Sequence, residues 1–181
     1  MIRIKAIAFD LGGVLIKENN YSLWEIAQIL EKKFGKINND KEYYERATKE
    51  TNLSEKEVRK VVEKTIENIY DLREPEIFNS LPNIKLAIAS NHLSTIWKWI
   101  DKIWIRPKFD CILISGNIGI EKPHREFYER LILELKEKPE NILFIDDNVE
   151  NIKGAEAVWL RTLHYDRLKN LTVEVLNRLR E

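Results

Sequence analysis

The sequence predicts an α/β protein: a mainly parallel five-stranded sheet flanked by helices, with an all-helical segment inserted after the first strand. Three observations predict it. Short apolar runs recur along the chain, stretches of helical spacing separate them, and one long stretch without a strand interrupts the alternation. The runs at residues 4–9, 84–89, 111–114 and 142–145 read as continuous rather than alternating, as strands covered on both faces of a parallel sheet do. A weaker run at 162–165 supplies the fifth strand.

Taken in order, the first run is followed by about sixty residues, from about 21 to 79, with no strand-like pattern. Ser22 with Glu25, and Ser54 with Glu57, match the capping box, in which each side chain satisfies a free amide at a helix start. Leu23, Ile26, Ala27 and Leu30 form one apolar face; Val58, Val61, Val62, Thr65, Ile66 and Ile69 form another. The expected division is a core of residues 1–18 and 80–181 with a helical cap of residues 19–79. Beyond the cap, Leu93, Ile96, Trp97, Ile100 and Ile103 repeat at helix spacing, as do Phe127, Leu131 and Leu135, and later Leu168, Leu171, Val175 and Leu179. Strands alternating with such helices imply right-handed crossovers. Trp97, Trp104 and Trp159 are expected in the core, Trp24 is a candidate for substrate contact, and Gly154-Ala155 should let its helix pack close to the sheet.

Composition sets outer limits. The chain has 181 residues, 30 Lys+Arg against 30 Asp+Glu, and 44% apolar types. That apolar fraction excludes a disordered chain, and no apolar run approaches the ~18 residues of a membrane span. A zero formal charge argues against a general nucleic-acid or membrane-surface binder. Cys111 is the single cysteine, so no internal disulfide framework is possible. The charged start, residues 1–5, does not suit a signal peptide, and a cytoplasmic location is expected. Oligomeric state is left open.

Open parallel sheets bind ligands beyond the carboxyl ends of their strands. The first run ends at Asp10, followed by Gly12 and Gly13; the second at Ser90-Asn91; the fourth at Asp146-Asp147. After the third come Lys122 and Pro123, with Pro123 expected in the first turn of a helix. Three carboxylates, a hydroxyl and an ammonium would converge on one crevice. Carboxylates that close raise one another's pKa, and a divalent cation such as Mg²⁺ with all-oxygen ligands resolves the conflict. A metal, a Lys, a hydroxyl and backbone amides together suit a phosphate group, with one Asp free to attack it.

The order Asp10, Ser90, Lys122-Pro123, Asp146-Asp147 resembles the haloacid dehalogenase superfamily, whose four motifs it matches from residue 5 to about 160. Asp-Leu-Gly-Gly-Val at 10–14 and Asp-Asp-Asn-Val-Glu-Asn at 146–151 are similar to the branch of glucose-1-phosphate phosphatases and the phosphatase domain of soluble epoxide hydrolases. The resemblance implies a Rossmann-like three-layer core and a helical cap. It implies Asp10 as nucleophile and metal ligand, and the Gly12 carbonyl as a further ligand. Asp147 would ligate directly and Asp146 through a water. Ser90 and the Asn91 amide would bind the phosphoryl oxygens, with Lys122 neutralising them. The implied activity is Mg²⁺-dependent hydrolysis of a small phosphorylated metabolite, a sugar phosphate or nucleotide-like phosphomonoester. One departure matters: most phosphatases of the superfamily carry an acid two residues after the nucleophile, where this chain has Gly12. His92 is a candidate replacement for the proton donor, against the plainer reading of a solvated loop histidine. A metal-free dehalogenase, a phospho-switch and a catalytically impaired binding protein stay as alternatives. The acid pair argues against the first, and motif order against the second.

Overall fold

The computed structural model describes residues 3–36 and 39–180. Met1 and Ile2 of the expected charged start, residues 37 and 38 of the expected cap, and residue 181 lie outside the described residues. In chain order, β1 (Ala6–Phe9) leads to β2 (Ile16–Glu18), α1 (Glu25–Glu31), α2 (Asp40–Thr51), α3 (Glu55–Ile69), β3 (Tyr70–Leu72) and α4 (Ile77–Ser80). Strand and helix then alternate: β4 (Lys85–Ser90), α5 (Ile96–Lys102), β5 (Cys111–Ile114), α6 (Ser115–Ile118), α7 (Arg125–Leu135), β6 (Ile142–Asp146), α8 (Val149–Glu156), β7 (Arg161–His164) and α9 (Leu171–Arg178). Five strands form one sheet in the order β5-β4-β1-β6-β7, and every pairing in it is parallel.

The central strands alternate small and large residues. Ala6 and Ala8 of β1, with Ala87 and Ala89 of β4, face Phe127, Tyr128 and Leu131 of α7 and Ile152 and Ala155 of α8. Ile7, Phe9 and Ile88 face the opposite layer. Both sets are buried, so the run looks continuous although its side chains obey the two-residue period. The second layer continues without a break from Ile7 and Phe9 through Ile96 and Trp99 of α5 to Tyr43, Val62 and Ile66 of the inserted helices. Polar contacts join the same parts: Asp40 accepts from Ser94 N at 2.9 Å and from the Ser94 hydroxyl, and Tyr44 meets the Thr95 hydroxyl at 2.7 Å. Glu74, on the return path, accepts from the Leu171 and Thr172 amides at 2.7 and 2.9 Å, covering free donors at the start of α9.

Several expectations need correction. The stretch expected to be strand-free contains β3, which pairs antiparallel with β2. Three-residue strands are too short to show a periodic pattern. The Ser54–Glu57 capping box forms, but the Ser22–Glu25 one does not; α1 starts at Glu25 behind Trp24, with Gln28 Nε2 donating to the Leu23 carbonyl. Trp104 and Trp159 are 82% and 80% exposed. Each follows a helix at a left-handed φ, 58° and 67°, so the chain leaves the helix and the apolar face stops short of it. Leu168 also lies outside its expected helix, because Asn170 caps α9 by accepting from Val173 N. Gly154 meets Pro123 and Tyr128, not the sheet: a Cβ there would lie 2.7 Å from the Pro123 carbonyl oxygen. Cys111 is buried and free, and no described helix is long and apolar enough to cross a membrane.

Candidate active site

Because β4, β1 and β6 are adjacent and parallel, their carboxyl ends lie side by side at one edge of the sheet. Asp10 directly follows β1, with its amide donating to Ile145 O at 2.8 Å; Ser90 ends β4, and Asp146 ends β6. All three are buried, and so is Lys122, which arrives on the loop between α6 and α7. Lys122 Nζ lies 2.8 Å from Asp10 Oδ1 and 2.6 Å from Asp146 Oδ2.

Lys122 is held differently from the expected helix start. The helix α7 begins at Arg125 behind His124, and Pro123 precedes it through a cis peptide bond, because the loop turns once more before the helix. The Asn91 side chain does the holding: Nδ2 donates to Lys122 O and Oδ1 accepts from Lys122 N, both at 2.8 Å. The residue after Ser90 therefore ties the second motif to the third. Asn91→Ala is expected to lower stability by about 1–3 kcal/mol in urea unfolding, the range for abandoned half-buried hydrogen bonds. An unchanged unfolding midpoint would count against the clamp.

The electrostatics follow from burial. Burial is the largest cause raising the Asp10 pKa from 3.8 to about 7; Lys122 opposes the rise, and Asp146 and Asp147 add to it. Burial would lower the Lys122 ammonium, but Asp10 and Asp146 outweigh it and hold its pKa above the ordinary value. Asp146 is engaged on both oxygens: Oδ1 accepts from Asn148 N at 2.8 Å, and Oδ2 from Asn151 Nδ2 at 3.0 Å as well as from Lys122. Asn148 caps α8, its side chain accepting from Glu150 N. Asp147 pairs with Arg167. Carboxylate oxygens of Asp10, Asp146 and Asp147 all lie within 4.8 Å of one another. An all-oxygen cluster this tight, with one buried lysine among three acids, fits a hard divalent cation. At Gly12 an added Cβ would meet nothing within 4 Å, so that side of the site is open space.

One cavity of about 910 Å³ takes in Asp10, Gly12, Ser90, Asn91 and Lys122, together with Asp146 and Asp147. Glu18, Glu31, Phe34, Tyr70 and Arg73 line it as well. His92 also lines it, but as a buried residue rather than a solvated one. Burial lowers its pKa to about 4, so the ring is neutral near pH 7. Its Nδ1 faces the Leu93 carbonyl at 3.2 Å, which places the proton on Nδ1. Nε2 is then left to accept from the Tyr70 hydroxyl at 3.3 Å. Such a histidine has no proton to give a leaving group. Trp24 is not on the cavity wall; the Lys64 ammonium lies 5.2 Å from its ring centroid. Arg167, Arg73 and Tyr70 carry no signal in the sequence, whereas Asn151, which closes the 146–151 motif and lines the cavity, is marked there without a role of its own.

A family model for haloacid dehalogenase-like hydrolases matches residues 4–158, a span that holds every one of the residues expected at the site. The chain belongs to this family. Among curated relatives, a sesquiterpene phosphatase from Aspergillus oryzae is 38% identical over 31% of this chain. The glyceraldehyde 3-phosphate phosphatase of Methanocaldococcus jannaschii is 28% identical over 44% of it, and the bifunctional epoxide hydrolase 2 of Sus scrofa 24% identical over 88%. These alignments span only 29%, 36% and 36% of the relatives' own lengths. Among solved structures, a HAD-like family hydrolase from Porphyromonas gingivalis superposes with a TM-score of 0.76 at 22% identity, covering 98% of both chains. A HAD family enzyme from Bacteroides thetaiotaomicron, solved in complex with magnesium and inorganic phosphate, gives 0.70 at 18% identity over 92% of this chain and 96% of its own. The fold of the family is thus present over nearly the whole chain.

Proposed function

We propose that this hydrolase is a Mg²⁺-dependent phosphatase acting on a small phosphorylated metabolite, a sugar phosphate or nucleotide-like phosphomonoester, through an aspartyl-phosphate on Asp10. The observation that carries the proposal is Lys122 Nζ bridging Asp10 and Asp146 while Asp147 completes a buried carboxylate cluster. The phosphatase relatives and the magnesium and phosphate complex of the Bacteroides enzyme support it. Asp10 attacks phosphorus, the bond to the leaving oxygen breaks, and water then releases phosphate and restores the carboxylate. The Ser90 hydroxyl and the Asn91 amide hold the phosphoryl oxygens, and the Lys122 ammonium neutralises them. Asp10, Asp147 and the Gly12 carbonyl would hold the cation directly. Asp146 would act through a water, a division supported by its oxygens already being taken by Asn148, Asn151 and Lys122. A bound Mg²⁺ supplies Lewis-acid neutralisation of phosphate charge. Residues 19–79 act as the cap over a core of residues 1–18 and 80–181, and the cavity walls at Glu31, Phe34 and Tyr70 select the leaving group.

No side chain at Gly12 can protonate that leaving group, and neutral His92 does not replace it. Acid–base help is worth about 10²–10⁴-fold, so acidic leaving groups should be strongly favoured. With p-nitrophenyl phosphate, we expect turnover in Mg²⁺, loss of at least about 100-fold in EDTA, and recovery on adding metal back. Turnover indifferent to EDTA would sink the metal-dependent reading. Halide release from a 2-haloacid without metal would favour the dehalogenase instead. Mg²⁺ uptake with no turnover across a phosphate ester panel would favour a binding protein.

A further inference from the structure

Two cations already serve the three clustered carboxylates, and they are held very differently. The Lys122 side chain is 1% exposed and spans Asp10 and Asp146. Arg167, in the turn after β7, brings both Nε and a terminal nitrogen to a single oxygen, Asp147 Oδ2, while its side chain stays 62% exposed. The pair lies against the loop that follows the nucleophile. A Cβ on Gly13 would stand 2.6 Å from Arg167 Nε and 2.6 Å from Asp147 Oδ2, and the φ of +83° there suits glycine. The guanidinium therefore fills the space beside Gly13 and Asp147, next to the carboxylate cluster.

A guanidinium and a divalent ion on one small carboxylate repel each other, and of the two basic side chains only Arg167 has solvent to move into. We propose that Arg167 competes with the divalent cation for Asp147: it holds the carboxylate in the metal-free protein and gives it up when the metal binds. This rests on the metal-dependent reading above. Arg167 is then a positioning residue, one that keeps Asp147 in place before loading and sets how much free metal is needed to load the site.

The test needs no turnover. Mg²⁺ is titrated into the metal-free protein by calorimetry, for the parent, Arg167→Gln and Arg167→Lys, with circular dichroism to establish that each is folded. Losing an exposed ion pair and its charge should tighten Mg²⁺ binding by about 5- to 10-fold in Arg167→Gln. Arg167→Lys, which keeps the charge but not two N–H groups on one oxygen, should fall between the two. Equal affinity in parent and Arg167→Gln overturns the proposal. Weaker binding in Arg167→Gln overturns it too, and makes Arg167 an orienting partner of the ligand. A parent that takes up no Mg²⁺ overturns the metal-dependent reading itself.

Discussion

Asp10→Asn is expected to lower phosphatase turnover by at least about 10⁴-fold, the scale on which removal of a nucleophile acts. The amide has nearly the same shape, so the variant should fold and keep its cavity. It should also be more stable than the parent when both are free of metal. The folded-state pKa of Asp10 is raised from 3.8 to about 7, so the native protein binds this proton more tightly than the unfolded chain does. The ionised carboxylate is therefore a burden on the fold above about pH 7, and that burden is relieved as pH falls toward about 4. The neutral amide removes it at every pH. We expect a gain of about 2–4 kcal/mol near pH 8 that fades toward pH 4. His92 works in the opposite direction, because its depressed pKa makes the fold lose stability as pH falls below 6.5. It is present in both proteins and cancels in the difference. Melting temperatures of the two across this range provide the check, and a parent more stable than Asp10→Asn at pH 8 would contradict the picture.

Lys122→Met should produce the opposite sign. It keeps the volume of the stem but leaves Asp10 and Asp146 buried without the ammonium 2.8 and 2.6 Å away. Removing one partner of a buried pair costs about 3–5 kcal/mol, because the charge left behind is uncompensated. Here two charges are left behind, so the loss should be greatest near pH 8 and shrink below about pH 7, where Asp10 takes up its proton. On the proposed mechanism Lys122 neutralises the phosphoryl oxygens, so its loss should also lower kcat by about 10²–10³-fold. Urea unfolding at two pH values tests the first effect, and a pH-independent loss would point to packing instead. The two variants read the same cluster from its two sides.

The sheet was legible because its strands are apolar on both faces, and the site was legible because each strand ends in a group that an apolar strand has no use for. Asp10, Ser90 and Asp146 announce themselves by that contrast. What escaped lacks any such contrast. Tyr70 sits in a three-residue strand with no period of its own, and its contact with His92 spans 22 positions. Arg167 is one of many exposed basic residues, separated by 20 positions from the Asp147 it pairs with. Trp104 and Trp159 misled because an apolar stripe carries no mark of where the backbone turns left-handed and ends it. Asn91 was legible as a backbone donor, but its side chain's hold on Lys122 depends on a loop 31 residues away.

The unbroken apolar layer shared by the sheet and the inserted helices bears on how such a protein changes over generations. Lys17, Glu18, Glu31 and Gly35 line the cavity without belonging to that layer. Exchanging them opens no void in that layer, whereas trimming Tyr43 or Val62 would. The chemistry is rooted at strand ends and the stability in a layer elsewhere, so the walls around the leaving group can drift in sequence with little penalty. If the proposed phosphatase reading holds, one scaffold can thus try many phosphate esters while Asp10, Ser90 and Asp146 stay where they are.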